Sequence, residues 1–162
     1  MTYGYHFPVS PLKEALEATL DAGLRPVLLI VDDEELIVET LSAILSRSNF
    51  TVLGAYDGAS ALEIARVIPP DLLISDVAMP CMSGIELAVS LVCMRPDCRV
   101  LLFSGHAQPR DLEDARKAGF NFPLLTKPVH PRTMLENVTL CLQAALPMAA
   151  VPVEHALLPL AS

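Results

Sequence analysis

The chain has 162 residues, of which 52% are hydrophobic and 19% charged, and a formal net charge of −8. That length suits one domain with extra segments at its ends, and the apolar share is enough for a packed core, which excludes global disorder. The acidic balance argues against a sequence-independent nucleic-acid surface, which needs a basic stripe. It suits a cation site or a basic partner.

Residues 1–10 carry no periodic pattern. Ser10 before Pro11 reads as an N-cap followed by proline at the first helical position, and Leu12, Leu16 and Leu20 mark one face up to a stop at Gly23. We read residues 1–25 as an extension bearing a short amphipathic helix. Pro26–Val31 is a continuous apolar run, the signature of a strand covered on both faces. Asp32-Asp33-Glu34-Glu35 follows, then Leu36, Ile37, Thr40, Leu41, Ile44 and Leu45 recur at helical spacing. Thr51–Ala55 is a second strand, and the turn at Asp57-Gly58 leads into a helix over Ala59–Val67 that Pro69-Pro70 ends.

A third strand is expected at Leu72–Ser75, delivering Asp76 where the chain leaves the sheet. A loop through Met79-Pro80-Cys81-Met82-Ser83-Gly84 follows, then a helix over Ile85–Met94 closed by Pro96. Arg99–Phe103 is a fourth strand running into Ser104-Gly105, and Arg110–Ala118 a helix stopped by Gly119. Phe122–Leu125 is a fifth strand leading to Thr126-Lys127-Pro128, and Pro131–Leu146 the last helix. Five strand–helix units in alternation specify an α/β, doubly wound parallel sheet. The domain is expected over 26–146, with an apolar, proline-bearing tail over 147–162.

Cys81, Cys93, Cys98 and Cys141 show neither a C-x-x-C pair nor zinc spacing, so separate reduced thiols are expected. There is no secretory signal pattern and no apolar run of membrane-spanning length, which predicts a cytoplasmic protein without membrane insertion.

All strands of a parallel sheet end at one edge, where open α/β sheets bind ligands. That edge gathers Asp32 and Asp33 from the first strand, Asp76 from the third, Ser104 from the fourth and Lys127 from the fifth. Clustered carboxylates repel unless a cation neutralises them, and a hard oxygen-bound ion such as Mg²⁺ fits this set. A lysine and a hydroxyl beside them supply charge and a hydrogen bond to phosphoryl oxygens. Together these groups describe phosphorylation of an aspartate, Asp76, from a reactive donor.

From about Pro26 to Ala145 the chain resembles the receiver domains of two-component response regulators, the CheY-like family. The resemblance rests on Leu28-Leu29-Ile30-Val31-Asp32-Asp33-Glu34, Asp71-Leu72-Leu73-Ile74-Ser75-Asp76-Val77-Ala78-Met79-Pro80, Ser83-Gly84-Ile85-Glu86-Leu87, Leu101-Leu102-Phe103-Ser104-Gly105 and Thr126-Lys127-Pro128. It implies a flavodoxin-like sheet of order 2-1-3-4-5 and phosphoryl transfer to Asp76 from a sensor histidine kinase, the chain then acting as a stand-alone regulator or passing the phosphoryl group to a histidine phosphotransfer protein. Asp32, Asp33, Asp76 and the Ala78 carbonyl would be Mg²⁺ ligands, Ser104 the switch hydroxyl and Lys127 the phosphate-contacting lysine, before a cis proline bond. His106 and Ala78 match positions that influence phosphoryl lifetime. The family's inward-swinging aromatic is replaced by Leu124.

The expectation is a signalling module rather than an enzyme, with no fused output domain. Its output would be an unknown downstream protein rather than nucleic acid, and homodimerisation through the extension or tail is compatible with the pattern. The competing readings are a phosphorylation-independent scaffold and a small Mg²⁺-dependent phosphohydrolase.

Overall fold

The computed structural model describes residues 25–105 and 110–144. The expected N-terminal helix, His106 and the proline-bearing tail lie outside the described residues. Five parallel strands, β1 (Val27–Val31), β2 (Thr51–Ala55), β3 (Leu72–Asp76), β4 (Arg99–Ser104) and β5 (Leu124–Thr126), form one sheet in the order β2-β1-β3-β4-β5. Helices α1 (Glu35–Ser46), α2 (Gly58–Val67), α3 (Gly84–Met94), α4 (Arg110–Lys117) and α5 (Pro131–Gln143) connect or follow them. The expected doubly wound sheet and its strand order are both present.

The strands' alternating side chains divide the core in two. Leu28 and Ile30 of β1, Leu72 and Ile74 of β3, and Leu101 and Phe103 of β4 pack with Val38 and Leu45 of α1 and Met134 and Val138 of α5. Leu29, Val31, Leu73 and Leu102 pack on the other face with Ala61 and Ala65 of α2, Leu87, Ala88 and Leu91 of α3, and Leu112 and Ala115 of α4. β1 and β3 are buried at every position, so their sequences run apolar without alternation.

Helix starts have local causes. Asp57 caps α2 by accepting from the Ser60 amide at 2.8 Å. Ser83 and Glu86 form a reciprocal capping box on α3, with the Ser83 amide donating to Glu86 Oε2 at 2.8 Å and the Glu86 amide to Ser83 Oγ at 3.2 Å. His130 Nδ1 accepts from the Arg132 amide at 3.2 Å, ahead of Pro131 at the first position of α5.

Strand boundaries differ from expectation by one or two residues, with β1 starting at Val27 and β4 running on to Ser104. β5 begins at Leu124 rather than Phe122, because Pro123 has no amide to donate and Phe122 is spent as a core side chain. β3 runs one residue further, so Asp76 itself lies in the ladder opposite Phe103. α5 ends at Gln143, where both Arg99 Nε and an Arg99 terminal nitrogen donate to the Ala144 carbonyl at 3.3 and 3.1 Å.

Candidate phosphoacceptor site

The site is assembled at the C-terminal edge of β1, β3, β4 and β5. Asp32 follows β1, its amide donating to the Ala55 carbonyl at 3.3 Å and its Oδ1 accepting from the Glu34 amide at 2.9 Å. These bonds fix the carboxylate inward, and the residue is 1% exposed. Asp33, next in the chain, is exposed. Asp76 closes β3 and is 5% exposed.

Lys127 bridges the two buried acids. Its Nζ lies 3.0 Å from Asp32 Oδ2 and 2.9 Å from Asp76 Oδ1, and 4.6 Å from the centroid of the Phe103 ring. The Lys127 amide donates to the Ser104 carbonyl at 2.8 Å, extending the β4–β5 ladder past its last pair, and the Lys127–Pro128 bond is cis. Partial burial opposes the ammonium charge, but hydrogen bonds to Asp76 and Asp32 and their coulombic attraction outweigh it, so the Lys127 pKa is raised above 10.5. The lysine is therefore charged throughout the neutral range.

Oxygens of Asp32, Asp33 and Asp76 lie within 4.8 Å of one another. Three carboxylates at that spacing present only hard oxygen donors, the set that Mg²⁺ accepts with water or phosphate oxygens completing its shell. The donor set fits. Ser104 ends β4 and is 2% exposed, two strands from β1 and adjacent to β3 in the sheet. Ala78 is exposed on the loop after Asp76. The structure thus brings Asp32 and Asp76 into contact with Lys127, a carboxylate oxygen of Asp33 to within 4.8 Å of theirs, and Ser104 to the same edge. Leu124, in the family's aromatic position, is half-buried against the α2–α3–α4 face of the core.

Three supporting residues were not assigned from sequence. Gly84 approaches the backbone of the acceptor so closely that any Cβ there would run into the Asp76 carbonyl oxygen. Its amide also donates to the Val77 carbonyl at 3.0 Å. Ser75 Oγ donates to the Asp76 carbonyl at 2.9 Å, in a fully buried position. Phe103 lines the lysine's path, opposite Asp76 in the register. A small residue at the very start of a helix, eight positions beyond the acceptor, was the available signal for Gly84.

A model of the response regulator receiver domain matches residues 28–139. The chain belongs to that family. Receiver domains are also among the solved structures it resembles. The CheY-like receiver domain protein of Methanospirillum hungatei superposes with a TM-score of 0.68 at 27% identity, covering 73% of this chain and 94% of that one. The chemotaxis protein CheY4 of Vibrio cholerae superposes with a TM-score of 0.66 at 28% identity, covering 72% and 98%. Among curated relatives, the alkaline phosphatase synthesis transcriptional regulatory protein PhoP of Bacillus subtilis is 34% identical over 111 residues, 68% of this chain and 46% of PhoP. The receiver described here spans about half the length, or less, of such curated relatives.

Proposed function

We propose that this receiver is a phosphorylation switch in which Asp76 accepts a phosphoryl group from a phosphohistidine of a sensor kinase or phosphotransfer protein. The observation that carries the reading is Asp76 Oδ1 held 2.9 Å from Lys127 Nζ, with carboxylate oxygens of Asp32 and Asp33 within 4.8 Å. An Asp76 carboxylate oxygen attacks phosphorus, the new O–P bond forms as the P–N bond of the phosphoimidazole breaks, and the released imidazole nitrogen takes up a proton. Asp32 and Asp33, with Asp76 and the Ala78 carbonyl, would hold Mg²⁺, which would supply positive charge against the phosphoryl oxygens.

Lys127 has a fixed charge and a short reach. It screens Asp76 from Asp32 before transfer and holds a phosphoryl oxygen afterwards. The Ser104 hydroxyl, at the end of the neighbouring strand, donates to another phosphoryl oxygen. The chain is a switch rather than a turnover enzyme, and its readout is a contact with a downstream protein in the cytoplasm. Among the described residues no helix is long and apolar enough to cross a membrane.

Intact-mass measurement after incubation with acetyl phosphate tests the reading. One phosphoryl adduct is expected with Mg²⁺, none with chelator, and none in Asp76→Ala with Mg²⁺. An adduct that persists in Asp76→Ala, or none on wild type from either acetyl phosphate or a phosphorylated histidine kinase, overturns it.

A further inference from the structure

A second surface lies away from the carboxylate cluster. Between α3 and α4 runs an open groove of about 720 Å³. Its floor is apolar: Ile85 and Ala115 are buried there, with Met82 and Val89 half-buried beside them. Its walls follow helical spacing, Glu86, Val89 and Ser90 on α3 facing Asp111, Asp114 and Ala115 on α4. Glu86, Asp111 and Asp114 are exposed carboxylates, and no lysine or arginine is among the lining residues. Lys117 pairs with Asp114 Oδ1 at 3.3 Å, a solvent-exposed pair that screens little.

We propose that this groove is a docking site for a cationic amphipathic helix of a partner protein, its apolar side chains on the floor and its lysines or arginines against the acidic rims. The flanking segments 1–24 and 145–162 do not suit it. Residues 1–24 carry Lys13 against Glu14, Glu17 and Asp21, and residues 145–162 carry Glu154 with no lysine or arginine. A second copy brings a net charge of −8 toward the same rims. The head of the groove is also continuous with the acceptor loop. Met82 packs where a side chain on Gly58 would stand, and Ser83, the cap of α3, precedes the Gly84 that touches the Asp76 carbonyl. This inference concerns binding and does not depend on the phosphoryl chemistry.

The test is a titration of the full chain, followed by amide nuclear magnetic resonance, with a synthetic helical peptide of leucine and lysine and a matched peptide of leucine and glutamate. The lysine peptide is expected to shift amides on the facing walls, including Val89, Ser90 and Ala115, and its affinity to fall as salt rises. Asp111→Lys with Asp114→Lys should weaken it about tenfold, whereas Glu39→Lys with Glu63→Lys, an equal charge change on exposed residues outside the groove, should not. Asp111 in the first turn favours α4 and Asp114 pairs with Lys117 along it, so the first pair risks unfolding the helix. Ser90→Lys, on the exposed face of α3, should give a smaller loss in the same direction with the caps of α3 intact. Shifts centred elsewhere, equal weakening by both charge pairs, undiminished binding to a folded Ser90→Lys, or equal binding of the glutamate peptide each overturn the proposal.

Discussion

Lys127 is the residue on which the resting site balances. It offsets two buried carboxylates at 3.0 and 2.9 Å, so Lys127→Met leaves Asp32 and Asp76 facing each other without a cation. The lysine side chain is 25% exposed, which places the cost between that of a surface pair and a buried one, about 2 kcal/mol by denaturant unfolding at neutral pH. Mg²⁺ should stabilise this variant more than wild type, because the ion no longer competes with an ammonium for the same oxygens. Because its pKa is raised, Lys127 contributes its stabilisation fully below 10.5 and loses it only as pH rises through the folded-state value. The thiols divide just as locally. Burial pushes Cys98 up to about 12, and Cys141 is raised by burial too. Cys81 and Cys93 are exposed, so limited alkylation followed by peptide mass analysis should label those two first and leave Cys98 unlabelled in the native state.

At the scale of single elements, the helix caps and the glycine contact make the sharpest forecasts. Asp57→Ala removes the cap of α2 and should cost about 1 kcal/mol. The Ser60 amide and hydroxyl hold the Asp57 carboxyl below 3.8, so the wild-type advantage is present above that value and is lost as pH falls through the folded-state pKa. Urea unfolding at pH 7 and pH 2.5 should show the gap between wild type and variant closing at the lower pH. Gly84→Ala is a harsher change at the start of α3. The added methyl meets backbone rather than a movable side chain, so a loss of about 2 kcal/mol or more is expected, with slower phosphorylation of whatever remains folded.

The whole molecule was legible where each residue's environment follows from its neighbours in sequence. Apolar runs such as Leu28–Val31 declare a strand covered on both faces, and the alternation of strands with helices fixes a parallel sheet whose ends converge. That convergence makes Asp32, Asp76, Ser104 and Lys127 neighbours at one sheet edge from the order of the strands alone. What sequence did not reveal depends on contacts between distant segments. Gly84 against the Asp76 carbonyl, Phe103 beneath the Lys127 ammonium, and Arg99 closing α5 at Ala144 each need the tertiary path to be visible. The start of β5 was misplaced for a related reason, since Phe122 has the same apolar character whether it fills a ladder position or a core position. The anchoring of position 76 has a practical side. Its main chain is secured by Ser75, Gly84 and the partner strand, so the scaffold holds that backbone without help from the side chain. Position 76 is therefore a socket: a cysteine installed there should leave the sheet intact, and it offers a single engineered handle for crosslinking whatever protein comes to dock over the acceptor.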